Sequence, residues 1–292
     1  MIFTDKLKLT ASMCIFGTVG LFVKLIPMPS SVIASFRGLC GAVFLFFVCL
    51  ITRRKFDLPA LKKNLPLLCV SGAAIGVNWI LLFEAYRFTT VATATLCYYM
   101  APVFIILFSP LVLKEKITAK KLFCVIASLF GMLLVSGVIN EGMPDDLRGI
   151  LLGLSAAAVY ASVIFMNKKI TDIPALDKTL IQLLFAGLAV FPYCLLTVSP
   201  EQLSFEVRGL ILLAVLGIIH TGFAYCLYFG AVSSVKAQTV AVLSYIDPAL
   251  AVILSAAVLR EKLDIYGIMG ALLIIGAALF SELPVQKKKT AE

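Results

Sequence analysis

The stretch Tyr98–Lys116, YYMAPVFIILFSPLVLKEK, returns later in the chain as Ser244–Lys262, SYIDPALAVILSAAVLREK. The two align without a gap at an offset of about 146 residues, which places Tyr99 on Tyr245, Pro102 on Pro248, Ser109 on Ser255 and Glu115 on Glu261. Extended back to Phe83 and Phe229, the match holds at roughly ten of some 34 positions. Each copy has a proline inside an apolar run, and a Leu-basic-Glu-Lys sequence after it. A chain built this way must fold as two similar halves, each with a broken apolar segment at the same place.

Those apolar segments are long. Runs of membrane-crossing length, at about 1.5 Å per residue against a slab of about 30 Å, occur at residues 9–23, 31–51, 66–85, 91–113 and 122–138. They recur at 149–166, 179–198, 209–230, 236–259 and 263–283. With 61% of residues apolar and 14% charged, no soluble fold of this length buries enough surface. The reading is an all-α integral membrane protein of about ten transmembrane helices. The polar stretch NEGMPDDLR at Asn140–Arg148 is the one convincing boundary. Residues 1–138 form the first repeat, 139–148 an external linker, 149–283 the second repeat and 284–292 a basic cytoplasmic tail. The eight cysteines lie in apolar runs and lack metal or disulfide spacing.

Five spans per repeat means that the second copy enters the membrane from the side opposite to the first. Basic residues agree with this. With the N-terminus in the cytoplasm, roughly eighteen Lys and Arg fall on cytoplasmic segments and about six outside. The expectation is inverted repeats with both termini in the cytoplasm, in the cell membrane. Secondary transporters share that architecture and bind substrate near the midplane, between the repeats.

Proline followed thirteen residues later by glutamate, Pro102 to Glu115 and Pro248 to Glu261, with the acidic Asp247 before the second proline, resembles the EamA-like members of the drug/metabolite transporter superfamily. The similarity runs over nearly the whole chain. It implies a ten-helix transporter of small organic metabolites or drugs, and it implies no single substrate.

Several side chains are candidates for the site. Pro102 and Pro248 remove amide donors in mid-span, which lipid tolerates only where protein or cavity water satisfies the freed carbonyls. Tyr98 and Tyr99 precede the first proline, and Thr95, Tyr99 and Pro102 share a helix face. Ala241, Tyr245 and Pro248 share the equivalent face, so Tyr99 and Tyr245 should meet across the pseudo-twofold axis. Tyrosine offers an aromatic wall and a hydroxyl. Asp247 lies about 200° around a regular helix from Tyr245, so it either faces a neighbouring helix and caps freed backbone groups or serves the site as a substrate-binding carboxylate. A charge at that depth must be protonated or partnered. Glu84 reads either as one half of an ion pair, with Arg37 or Arg87, or as a proton-coupling or cation-binding carboxylate. Asn78 and Trp79 lie deeper on the same span, where Gly72 and Gly76 suggest close packing. His220, the single histidine, is a structural hydrogen bonder or a proton or substrate contact, with Tyr225 following on its span. Glu115 and Glu261 read as interface anchors. Gly149-Gly153 and Gly267-Ala271 could pack internally or form a dimer face.

Together these residues predict a cavity lined by the third, fourth, eighth and ninth spans. Aromatics and carboxylates there favour an amine, an amino acid or a cationic compound. Deep titratable groups favour proton coupling. An uncoupled facilitator or channel is the alternative. A membrane-embedded enzyme is disfavoured, because HExxH, GxSxG and GxxxxGK[ST] are all missing. No cofactor, metal or nucleic acid is expected. The expected partners are a small-molecule substrate, protons and membrane lipid, in a monomer or homodimer.

Overall fold

The structure, a computed structural model, describes residues 2–54, 56–114, 118–135, 147–232, 234–235, 243–262 and 264–282. Glu115, most of the 139–148 linker, the start of the ninth span with Ala241, and the 284–292 tail lie outside the described residues.

Every regular element is helical among the described residues. In chain order these are α1 (Ile2–Gly17), α2 (Val19–Leu25), α3 (Ser30–Ile51), α4 (Leu58–Phe88), α5 (Val91–Tyr98), α6 (Ala101–Leu113) and α7 (Ala119–Val135). The second half has α8 (Leu147–Lys169), α9 (Ala175–Thr197), α10 (Val207–Gly217), a π-helical turn at Ile218–Phe223, α11 (Ala224–Val232), α12 (Ile246–Ala257) and α13 (Ile265–Glu282). Seven helical segments are long and apolar enough to cross a membrane, and α12 and α13 contribute shorter apolar stretches. Among the described residues, each of the ten predicted apolar runs thus contains helix. Large apolar side chains cover the outside, with Leu111 78% and Leu196 87% exposed, a surface suited to lipid and not to water. The protein is a multi-pass membrane protein.

Two boundaries differ from expectation. The third span begins at Leu58 and not at Pro66. Asp57 caps the start by accepting from the Ala60 amide at 3.0 Å, and Pro59 sits in the first turn, where its missing amide costs nothing. Lys62 and Lys63 therefore ride on the helix and not in a loop. The first span is not one helix, because α1 stops and α2 restarts at Thr18.

The two halves repeat in backbone detail. Pro29 and Pro174, one at the start of α3 and one at the start of α9, have φ/ψ of −58/142° and −58/144°. Lys114 and Arg260, 146 positions apart, both end their segments in the left-handed region, at φ 57° and 56°. Packing follows the same pattern. Helix α3 packs on its counterpart α9, and α7 on α13. Helix α4 packs on α8, while their counterparts α11 and α1 pack on each other. A twofold relation between the halves produces this exchange. The contacts are close: a Cβ on Gly72 would sit 2.7 Å from the Gln182 carbonyl, and one on Gly76 2.6 Å from the Ala186 carbonyl. Gly149 and Gly153 likewise pack inward, against Thr89 and Cys97, and so present no dimer face. Polar side chains tie these seams. Ser35 donates to the Gly187 carbonyl at 3.0 Å, and Gln182 donates to Ser71 at 2.7 Å.

Candidate functional site

The site forms where two helices break at equivalent residues. Helix α5 ends at Tyr98, and the chain turns through Tyr99 and Met100 before α6 begins with Pro102 in its first turn. The Tyr99 amide still reaches Thr95 at 2.9 Å, and Met100 tightens onto Cys97 at 3.1 Å. Tyr245 makes the matching turn before α12. Its φ/ψ of −78/−5° stand beside −71/3° at Tyr99. Proline without an amide donor explains both breaks, since neither helix can continue its ladder through that position.

The breaks aim side chains at each other. The Tyr99 hydroxyl donates to Asp247 Oδ2 at 2.8 Å, and the Tyr99 and Tyr245 rings lie 6.4 Å apart. The tyrosines do meet across the repeats, as the pairing of their faces predicts. Asp247 meets the Tyr99 hydroxyl of the other repeat, beside the tyrosine rings. The 200° argument assumed a regular helix through Tyr245, and the turn there removes that premise. Tyr98 packs edge-on against Tyr99 at 6.1 Å and against Tyr160 of α8 at 5.5 Å. Tyr98, Tyr99, Tyr245 and Asp247 all keep part of their surface accessible. Helix α1 comes close from behind, because a Cβ on Gly17 would lie 2.8 Å from the Asp247 carbonyl oxygen.

Arg37 lies on the other flank. It is 5% exposed, with its guanidinium 4.4 Å above the Trp79 ring and 5.8 Å above Phe83. Its Nε donates to Thr221 Oγ1 at 2.7 Å, and Thr221 donates back to the Leu216 carbonyl at 3.1 Å. Of the two ion pairs open to Glu84, the one with Arg37 is not formed. Glu84 pairs with Arg87 at 3.3 Å, one turn along its own helix, while Trp79 and Thr221 hold Arg37 deeper in the bundle. Glu84 and Arg87 instead line a cavity of about 570 Å³ at the bundle end, with Lys24, Pro27, Tyr193 and Gln202. That cavity is separate from the tyrosine cluster.

His220 and Asn78 are buried and hydrogen-bonded inside the bundle. His220 is 3% exposed and sits in the π turn, with Nε2 2.8 Å from the Thr18 hydroxyl and Nδ1 3.3 Å from the Val215 carbonyl. Phe22 covers its ring at 4.4 Å. Thr18 gives its one proton to the Ile15 carbonyl at 2.7 Å, so with that bond made Nε2 is the donor. His220 and Thr221 both reach five residues back, to carbonyls displaced by the wider turn. Asn78, 1% exposed, donates to the Ala156 carbonyl at 2.6 Å and joins α4 to α8. Tyr225 packs at a tilt against Phe16 at 5.3 Å and stacks with Phe229 at 5.8 Å.

Three features escape sequence reasoning. Tyr160 brings the sixth span into the site, and its one signal is a lone aromatic in a run of small residues. Thr221 as the Arg37 partner has no local signature. Glu261 is more than an interface anchor: it forms a latch at the bundle end. Its Oε1 lies 3.2 Å from Lys24 Nζ, and Oε2 accepts from the Val91 amide at 2.9 Å and from the Ser255 hydroxyl. Lys24 also donates to the Tyr86 carbonyl at 2.7 Å. The carboxylate caps the positive end of α5 and binds it to the opposite repeat.

Comparison with known proteins agrees with this arrangement. A solved crystal structure superposes with a TM-score of 0.66 over 95% of this chain and 97% of its own, at 19% identity, so the fold is shared. The uncharacterized transporter YxxF of Bacillus subtilis is 26% identical over 279 residues, 94% of this chain and 89% of its own length. The uncharacterized transporter YoaV of the same organism is 24% identical over 269 residues, 90% of each. Residues 7–137 and 147–282 each match the EamA-like transporter family, one match per repeat. The chain belongs to the EamA-like transporter family of the drug/metabolite transporter superfamily, and it is a membrane transporter of that type.

Proposed function

We propose that this protein is a secondary transporter of the cell membrane that moves a small amine, amino acid or cationic compound by alternating access. The observation that carries the reading is the Tyr99–Asp247 hydrogen bond, set among Tyr98, Tyr160 and Tyr245 at the junction of two broken helices. The carboxylate offers a counter-charge to an ammonium group, and the tyrosine faces offer cation–π and stacking contacts. Nearly all of these groups come from breaks repeated in both halves, so relative movement of the halves reshapes the site. The Glu261 latch supports alternation, because it joins α2 and α5 of one repeat to the segment after α12 of the other. A carboxylate among tyrosines, inside a membrane span, can exchange a proton for a cationic substrate, which favours proton coupling.

The test begins with a thermal-shift screen of the purified protein against amines, amino acids and quaternary ammonium compounds. A ligand that binds the folded state stabilises it by about 2.7 kcal/mol at a hundred times its Kd. Ligands that stabilise are then offered to proteoliposomes under an imposed pH gradient. Saturable accumulation that collapses with the gradient is the expected result. Uptake indifferent to the gradient would remove proton coupling, and the absence of any flux would remove the transport reading of this site.

A further inference from the structure

We infer that the cavity of about 570 Å³ at the bundle end holds the headgroup of a zwitterionic phospholipid, one with a phosphodiester and an ammonium group of the ethanolamine kind. This lipid site is separate from the tyrosine cluster and stands whatever the transported substrate is. Its volume is that of a small-molecule site. The cavity exists because two helices part. Helices α4 and α9 touch at Gly76, where a Cβ would lie 2.6 Å from the Ala186 carbonyl and 2.7 Å from Val190. Beyond that contact, Ile80, Phe83, Glu84 and Arg87 of α4 face Tyr193 and Thr197 of α9 across the cavity. The loop after α2, with Pro27 and Met28, closes another side.

The mouth reaches the lipid-facing surface. Tyr193 lines the cavity and is 51% exposed, and Leu196, beside the lining residue Thr197, is 87% exposed. A tyrosine near the end of a span sits at the headgroup level of a bilayer. Inside, Ile26, Met28, Ile33 and Phe83 are buried and apolar, a wall for the glycerol and the first acyl carbons. Glu84 and Arg87 supply the charges. They are joined by a single contact of 3.3 Å, with the Arg87 side chain 60% and the Glu84 side chain 28% exposed. An ion pair of that kind contributes little, so a ligand exchanges it with small loss. The two side chains set one positive and one negative charge a turn apart on α4. A headgroup with one phosphate and one ammonium carries the complement of both. The guanidinium offers parallel N–H donors to the phosphate, and the carboxylate accepts from the ammonium. Lys24, the third charged residue of the lining, is engaged by Glu261 and by the Tyr86 and Thr89 carbonyls, which leaves Arg87 to meet the phosphate. An anionic headgroup such as phosphatidylglycerol would satisfy Arg87 and leave Glu84 without a counter-charge.

The test uses the purified full-length protein in detergent, stripped of native lipid. The probes are dioleoyl phosphatidylethanolamine, dioleoyl phosphatidylglycerol and glycerophosphoethanolamine, which has the headgroup without the chains. Native mass spectrometry counts bound lipid, and titrated thermal shift gives the affinity of each probe. We expect phosphatidylethanolamine to bind about tenfold more tightly than phosphatidylglycerol, the difference made by one charge-assisted contact. Glycerophosphoethanolamine should bind at least about tenfold more weakly than the lipid, because it leaves the apolar wall uncovered. Arg87→Gln and Glu84→Gln should each weaken phosphatidylethanolamine about tenfold. Lys63→Gln breaks another exposed ion pair of 3.3 Å, with Asp172, outside the cavity, and should leave lipid binding unchanged. The comparison of probes in the wild-type protein stands even if a variant fails to fold. Equal binding of the two lipids, binding of neither, phosphatidylethanolamine affinity unchanged in either cavity variant, or a matching loss in Lys63→Gln would overturn the site. Glycerophosphoethanolamine binding as tightly as the lipid would overturn a lipid as the occupant and point to a soluble phosphoester.

Discussion

The Tyr99 hydroxyl donates to Asp247 Oδ2 across 2.8 Å, and these two residues stand 148 positions apart, one in each repeat. Each lies at a helix break just ahead of a proline, Tyr99 in the turn before α6 and Asp247 in the first turn of α12. The bond therefore reads out the relative position of the halves, and it fixes the one carboxylate among the tyrosines.

Tyr99→Phe removes this donor and leaves the ring contacts. A hydrogen bond to an ionised group is worth about 1.5–3 kcal/mol. Ligand affinity should change by about tenfold or more, with the ring still able to pack on Tyr245. Titrated thermal shift of both proteins measures it, and equal midpoints of titration would show that the bond does not orient the carboxylate.

The Glu261 latch should be visible as coupling. Glu261→Gln keeps the shape, but it loses the charge opposite Lys24 and weakens the cap on Val91. We expect a loss of about 1–3 kcal/mol, consistent with a partly buried charged contact. A double-mutant cycle with Lys24→Met should recover part of that cost, because the pair is broken only once. Strict additivity would mean that the two residues act independently.

Glycines separate packing from flexibility. A Cβ at Gly76 meets the Ala186 carbonyl at 2.6 Å, whereas one at Gly276 meets nothing within 4 Å. Gly76→Ala should force α4 away from α9 and cost about 1–3 kcal/mol. Gly276→Ala should be neutral, or stabilising by up to about 1 kcal/mol through helix propensity. Melting temperatures of the two variants in one detergent decide it, and a matched loss in both would contradict the packing account.

Thr221→Val is isosteric but silences two contacts. Arg37 Nε and the Leu216 carbonyl both lose their partner, and each orphaned group costs about 1–3 kcal/mol. The melting temperature should fall by several degrees. An unchanged melting temperature would mean that the π turn satisfies these groups in another way.

The repeat, the ten apolar runs and the two breaks were legible because proline at equivalent positions states them directly. The meeting of Tyr99 with Tyr245 followed from the same alignment. The direction of Asp247 was not legible, since helical-wheel geometry holds only inside a continuous helix and the turn at Tyr245 resets it. Arg37 was visible as a charge in a span, but its partners lie on other helices, Trp79 on α4 and Thr221 in a π turn that no local pattern announces. Glu84 lay near the right end of its span, yet the choice between Arg37 and Arg87 depended on how α3 and α4 are rotated, a tertiary quantity. The early start of α4 was missed because apolarity marks where lipid begins and not where a capped helix begins. Helix α4 extends past its apolar stretch on a capping aspartate.

The most direct measurement is substrate counterflow in proteoliposomes, comparing wild type with Asp247→Asn for the ligand found in the screen. The account predicts saturable exchange in the wild-type protein and exchange at the level of empty liposomes in the variant, while the variant melts within a few degrees of wild type. Exchange at the wild-type rate by Asp247→Asn would contradict it, and would move the binding site away from the junction of the two broken helices.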